Sequence, residues 1–374
     1  MDSRERFLAA VNHRQPDRAP FDIGGTTLTS MSPGCQARLR EFLGFAGEPA
    51  ATNAGVDERI LEWAGTDFRG AAQVLDLPGK LARRVSDTCV VSGWGIQHEL
   101  CGGQWQITRP PLRGATIDDL RSFPWPEPRI DDRVLQGYVE RVKALHEEGK
   151  YVVIGEHPVF GVLELGCWMC SYDDFLARLA GDTDFVRAFF DKVLDIQLAV
   201  IEQYYSAIGP YIDLTTSGDD FGMQTGPLLS PAAFRELVAP YFAERIRRTK
   251  ELAGCLFWHH SCGSIFALLD DIIACGVDII NPVQTSARDM QPEKLKRAFG
   301  DRLVFWGAVD VQEFLPSATT GEVRDGVREL LAVLGRNGGY VMAPAHNMQD
   351  DVPPQNIAAW VETFREVRQP NAEC

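Results

Sequence analysis

The chain has 374 residues, 45% hydrophobic and 24% charged, the make-up of a globular protein large enough to bury a sizeable core. Its formal net charge of −15 argues against general attraction to nucleic acid or to an anionic membrane surface. No apolar run is long enough to span a bilayer, and Met1-Asp2-Ser3-Arg4-Glu5-Arg6 lacks the apolar core of a signal peptide, so a cytoplasmic protein is expected. Nine cysteines, an odd number scattered without a repeating framework, predict free thiols in a reducing compartment.

In chain order, the stretch 85–135 stands apart first: it holds Trp94, Trp105 and Trp125 with prolines at 110, 111, 124, 126 and 128. Its Pro-Trp-Pro-Glu-Pro run suits neither a helix nor a central strand, so an irregular insertion is expected, packed on the barrel bottom rather than edging the pocket. Beyond it, short apolar runs at 151–154, 211–214, 255–258, 277–280, 303–306 and 340–343 read as strands. Amphipathic segments at 173–206, 231–252, 264–275, 290–299, 320–336 and 354–368 read as helices, with Ser230-Pro231 as a cap and first-turn proline. This alternation is the signature of parallel βαβ units. It predicts one α/β domain over 1–374, a single (β/α)8 TIM-type barrel with an N-terminal extension. The rival, an open doubly wound sheet, lacks support because no Gly-x-Gly-x-x-Gly joins a strand to a helix.

Polar residues follow the strand runs: Glu156-His157, Asp219-Asp220, His260-Ser261-Cys262, Asn281, Asp310 and His346-Asn347. In a barrel that is the C-terminal face, where active sites are built. His260 and Cys262, two apart on extended backbone, face the same side, while His259 faces away. With His346 from the end of the last run they form a candidate zinc set, open at a fourth position as catalytic zinc requires. The alternative is that the imidazoles and the thiol are satisfied core groups. Glu156 is either a fourth ligand or general acid, or a carboxylate holding a loop. Asp22 either contacts substrate or steadies the turn at Gly24-Gly25. Asn281 and Gln284 could orient a ligand oxygen, though Asn before Pro is also turn chemistry. Trp306 and Asn347 are further substrate-binding candidates; Trp306 has barrel packing as its alternative. Cys167-Trp168-Met169-Cys170 precedes a long predicted helix and reads as a pair of buried free thiols, neither a redox motif nor a second zinc site.

The opening Arg14-Gln15-Pro16-Asp17-Arg18-Ala19-Pro20-Phe21 resembles the start of the uroporphyrinogen decarboxylase superfamily. Gly218-Asp219-Asp220-Phe221-Gly222, His260-Ser261-Cys262-Gly263, Gly276-Val277-Asp278-Ile279-Ile280-Asn281-Pro282, Phe305-Trp306-Gly307 and Pro353-Pro354-Gln355-Asn356 resemble its branch of corrinoid-linked methyltransferases. The resemblance spans nearly the whole chain and implies the same TIM-type fold. It also implies a zinc held by His-x-Cys and a later Cys: His260 and Cys262 match the first two, and His346 stands where the later Cys would be. By the same pattern Asp220, rather than its neighbour Asp219, is the catalytic carboxylate that points inward; the alternative is a helix-capping or loop role.

The activity implied by the resemblance is methyl transfer between a small methylated or methoxylated compound, or a thiol, and a corrinoid (cobalamin). No Asp-x-His-x-x-Gly signature occurs, so the corrinoid would ride on a partner protein; a homodimer is compatible with this reading. Demethylation is the preferred direction, because a second imidazole in place of a thiolate suits an oxygen ligand. Authentic decarboxylases of the superfamily need no metal and carry an Arg-Gln-Ala-Gly-Arg signature, from which Arg14-Gln15-Pro16-Asp17-Arg18 departs. The alternatives are a cofactor-independent decarboxylase or lyase using Asp22 or Asp220, and a catalytically silent metal-binding barrel.

Overall fold

The computed structural model describes residues 1–50, 52, 54–71 and 75–367. Seven parallel strands form one curled sheet in sequence order: β1 Phe68–Gly70, β2 Val152–Glu156, β3 Leu214–Gly218, β4 Leu256–His260, β5 Ile279–Val283, β6 Val304–Val309 and β7 Tyr340–Pro344. The position of an eighth stave is taken by the extended backbone at 20–23. On one side Asp22 N–H donates to Met342 O at 2.9 Å and Met342 N–H to Pro20 O at 3.0 Å; on the other, Asp67 N–H donates to Phe21 O at 2.9 Å. The sheet therefore closes on itself as a TIM-type barrel, and helices pack around it.

Alternation along the strands sends one set of side chains into the barrel. Val152, Ile154, Leu214, Trp258, Ile279, Val304, Trp306 and Val341 form an inner cluster with Phe68 and with Phe7 from the helix Ser3–Val11. The rings of Phe68 and Trp306 lie 4.5 Å apart, those of Phe7 and Phe68 5.4 Å, and those of Trp258 and Trp306 5.7 Å. The barrel is thus solid below its C-terminal mouth. The second, larger cluster lies between the outward faces of the strands and the helices.

At the opposite, N-terminal end, Asp67 just before β1 gathers charge. Its carboxylate accepts from Arg6 Nη1 at 2.8 Å, Arg18 Nη1 at 2.7 Å, Ser3 Oγ at 2.9 Å and Phe21 N–H at 2.8 Å. Arg6 also pairs with Asp17 at 2.8 Å. The Arg14–Asp17–Arg18 stretch is therefore a clamp beneath the barrel, remote from the strand ends that carry His260 and Glu156, and its departure from the decarboxylase signature does not describe the pocket.

Several elements depart from the sequence reading. The insertion is not irregular throughout: Arg83–Ser86, Cys89–Val91, Gln97–Cys101 and Gln104–Arg109 form a four-stranded antiparallel sheet. Gly102 and Gly103, at φ of 60° and 85°, make the two-residue turn between its last strands, and the Pro-rich 124–128 is irregular as the prolines demand. Trp94 packs edge-on to Trp125, which meets Phe189 on the helix Thr183–Ile208. The turn at Gly102-Gly103 lies beside Asn347 and Asp350, on the mouth side rather than the bottom.

β3 begins at Leu214, where the expected run ends, because Gly209–Tyr211 is a 3-10 turn. The long helix expected over 173–206 is divided into Tyr172–Gly181 and Thr183–Ile208 at Asp182, whose carboxylate caps the second piece through Phe185 N–H. That over 231–252 is interrupted by a π turn at Phe234–Val238 ahead of Pro240, which has no N–H to give to the regular ladder. The helix expected over 354–368 is Pro354–Glu366; residue 368 lies outside the described residues. Cys167 and Cys170 sit on a further helix, Val162–Cys170, and both are buried; the eight described cysteines are free. No described helix is long and apolar enough to cross a membrane.

Candidate metal centre

β4 ends on Trp258-His259-His260. Strand alternation turns His259 outward, where its ring stacks on Phe221 at 5.1 Å and meets Phe242 at 4.7 Å. His260 turns inward. The turn after it is held at successive amides: Ser261 N–H donates to Asn281 O at 2.7 Å, Cys262 N–H to Asp220 Oδ1 at 2.8 Å, and Gly263 N–H to Gln284 Oε1 at 2.7 Å. Gly263 takes φ of 82°, and a Cβ there would meet Met223 O at 2.7 Å, so this position requires glycine. His346 arrives two residues past β7, its loop fixed by Ala345 N–H donating to Val309 O at 2.8 Å.

Ligand atoms of His260, Cys262 and His346 all lie within 4.8 Å of one another. Cys262 Sγ is 3.3 Å from His260 Nε2, and the two imidazole rings are 5.5 Å apart. Asn281 Nδ2 donates to Trp306 O at 3.2 Å, which leaves Asn281 Oδ1 to accept His260 Nδ1–H at 2.6 Å. That network assigns the Nε2 lone pair of His260 to the centre, the outer-shell orientation metal-bound histidines use. Burial pushes His346 down to about 4, so its ring is neutral near pH 7. Its Nδ1 accepts Asn347 N–H at 2.8 Å, so a cation on Nε2 must move the ring hydrogen and break that contact. Burial holds the Cys262 thiol well above its ordinary range, with Asp220 and Glu164 adding to the effect, so a nearby cation is what would make it a thiolate. Two imidazoles and a thiol at this spacing suit zinc, with a fourth position left open.

A cleft of about 440 Å³ opens beside the trio, and His260 and His346 line it. Three acidic residues, Glu156, Glu164 and Asp220, share its wall, and no Arg or Lys is among its described lining residues. Glu156 accepts Thr27 N–H at 2.8 Å and Thr27 Oγ1–H at 2.6 Å, yet burial still pushes it up to about 7. Burial pushes Glu164 well up as well, followed by the charges of Asp220 and Asp219. Arg245 lies beneath the cleft and gives its donors to Ser217 Oγ at 2.6 Å, Val159 O at 2.5 Å and His157 Nδ1 at 3.0 Å. His157, fully buried against it, is held well below its ordinary value by that burial first and by Arg245 second.

Five residues expected to touch substrate are placed elsewhere, each for a hydrogen-bonding reason. Asp22, fully buried, accepts from Gly25 N–H at 2.8 Å, Thr29 Oγ1 at 2.8 Å and Trp306 Nε1 at 3.1 Å; it and Trp306 brace the barrel instead of lining the cleft. Asn281 supports His260. Gln284 ties Gly263 to Gln224 and Gln312, and Asn347 Oδ1 accepts Ser30 N–H at 2.9 Å. Glu156 and Asp220 do face the cleft, whereas Asp219 caps the helix Val162–Cys170 through Glu164 N–H at 2.8 Å. The sequence reading missed Thr27 and Glu164. The Thr26-Thr27 pair after two glycines was a signal for the first; nothing marked the second, which sits on a helix after the insertion.

The family model for uroporphyrinogen decarboxylase matches residues 95–367. Among solved structures, a methyltransferase from Methanosarcina mazei superposes at a TM-score of 0.66 with 18% identity, over 98% of this chain and 99% of that one. A B12-independent methionine synthase from a Shewanella species, at a TM-score of 0.40 and 12% identity over 96% and 98% of the two chains, is too distant to bear on the fold. No curated protein matches by sequence. With a match over well more than half its length and the barrel to go with it, the chain belongs to the uroporphyrinogen decarboxylase family.

Proposed function

We propose that this protein is a metal-assisted methyltransferase, moving a methyl group between a small methylated compound or thiol and a corrinoid carried by a separate protein. The convergence of His260, Cys262 and His346 within 4.8 Å at the mouth of the barrel carries the reading. The M. mazei methyltransferase of like fold supports it. A zinc held by the trio would supply Lewis acidity, lowering the basicity of a departing heteroatom or the pKa of a thiol. The chain's own groups do the rest. Asn281 fixes the His260 tautomer, Asp220 fixes the Cys262 backbone, and Glu156, pushed up to about 7, can hold a proton near neutral pH for a heteroatom in the cleft.

The cleft also weighs against decarboxylation of a tetrapyrrole with many carboxylates. Such a substrate needs cations to meet its charges, and the described lining carries acids and no Arg or Lys. Metal analysis after growth in zinc, on the native chain and on Cys262→Ser and His346→Ala, tests the centre. The native protein is expected to hold about one zinc, and each variant to lose most of it. Full occupancy in His346→Ala would remove that ligand, and a metal-free native protein that decarboxylates would reverse the assignment.

A further inference from the structure

The cleft next to the trio has a one-sided chemistry. Glu156 rises from the end of β2, Glu164 from the helix Val162–Cys170, and Asp220 from the loop after β3, so three separate elements each turn an acidic side chain to one space of about 440 Å³. The guanidinium of Arg245, which could have balanced them, is engaged below by Ser217, Val159 and His157. Phe160, edge-on to Trp168 at 4.5 Å, adds an apolar wall. Asp220 is one hydrogen bond from Cys262, so the acidic wall starts beside the ligand set itself.

A reactant bound there must satisfy both features at once. Its reacting heteroatom belongs at the open metal position, and the remainder of the molecule faces acids with no balancing cation. We propose that the cleft selects a small thiol or alcohol whose far end is a protonated amine, and rejects one ending in a sulfonate or carboxylate. This rests on the metal-assisted reading above. Burial pushes Glu156 and Glu164 up because a lone negative charge there has lost its water; an ammonium replaces the proton with an ion pair and relieves that cost. An anionic tail finds no partner and suffers desolvation with repulsion added.

Three thiols that differ at one end only separate the outcomes: 2-aminoethanethiol, 2-sulfanylethanol and 2-sulfanylethanesulfonate. Each is titrated into the full-length protein loaded with Co²⁺ in place of zinc, and sulfur-to-cobalt charge transfer reports thiolate on the metal. The aminothiol is expected to bind about tenfold or more tighter than the neutral thiol, and the sulfonate about tenfold or more weaker, both differences shrinking with added salt. Glu164→Gln, checked for native circular dichroism, should cut the aminothiol preference several-fold while leaving 2-sulfanylethanol unchanged. Equal binding of the three, or preference for the sulfonate, overturns the selectivity and leaves the metal reading standing. Absence of any spectral change with every thiol overturns both.

Discussion

Thr27 gives its amide and hydroxyl hydrogens to Glu156, and burial still pushes the carboxyl up to about 7 because two hydrogen bonds do not replace a full shell of water. The folded value lies above the ordinary 4.5, so the folded state holds the proton more tightly than the unfolded chain. That contribution is present below about pH 4.5 and is lost as the pH rises through 7, a change of roughly 3 kcal/mol. Glu156→Gln removes the titration. Urea unfolding at pH 5 and pH 8 should show a smaller loss of stability in the variant than in the native chain, with residual slope from Asp22 and Asp219, raised by burial to about 6 and about 7. An unchanged slope would mean that Glu156 is already ionised at pH 5. Legibility at this scale follows geometry: a strand places i and i+2 on one side, which is why His260 and Cys262 could be paired from spacing alone. Glu164 could not be found that way, since a helix can present it to a pocket only through tertiary packing.

Elements defined by apolar runs, such as β4 and β7, were readable to within a few residues. β3 was displaced because its own residues, Leu214-Thr215-Thr216-Ser217-Gly218, are mostly polar; Thr215 Oγ1 is satisfied inside by Gly155 O at 2.7 Å. β1, three residues long, and the backbone at 20–23 carry too little pattern to be seen at all, yet they complete the ring. The insertion hid its sheet because its strands have largely exposed faces and therefore no clean alternation. One side chain, Asp67, joins β1 to the N-terminal segment from below. Asp67→Ala removes an acceptor from each of Arg6, Arg18 and Phe21 N–H beneath β1 and should cost about 3–5 kcal/mol in chemical denaturation. A loss under 1 kcal/mol, about that of an exposed pair, would show that the closure does not depend on it.

For the molecule as a whole, binding of a metal at the proposed centre would be linked to proton release, because the Cys262 thiol is held protonated by its burial while His346, at about 4, has no proton to lose on the alkaline side. Zinc affinity measured against a competing chelator should therefore rise about tenfold per pH unit from pH 7.5 to 9, and thermal stability should rise with it. A flat profile would exclude thiolate ligation. The net charge of −15 places the acidic cleft within an acidic protein, so a cationic reactant is favoured on approach as well as on arrival. The packed stack of Phe7, Phe68, Trp258 and Trp306 has a kinetic corollary. Traffic cannot pass through the floor, so a bulky cobalt-bearing partner seated over the rim would trap whatever is inside and bar whatever is not. If methyl transfer runs as proposed, small reactant and large one would have to take turns, with the small one first to enter and last to leave.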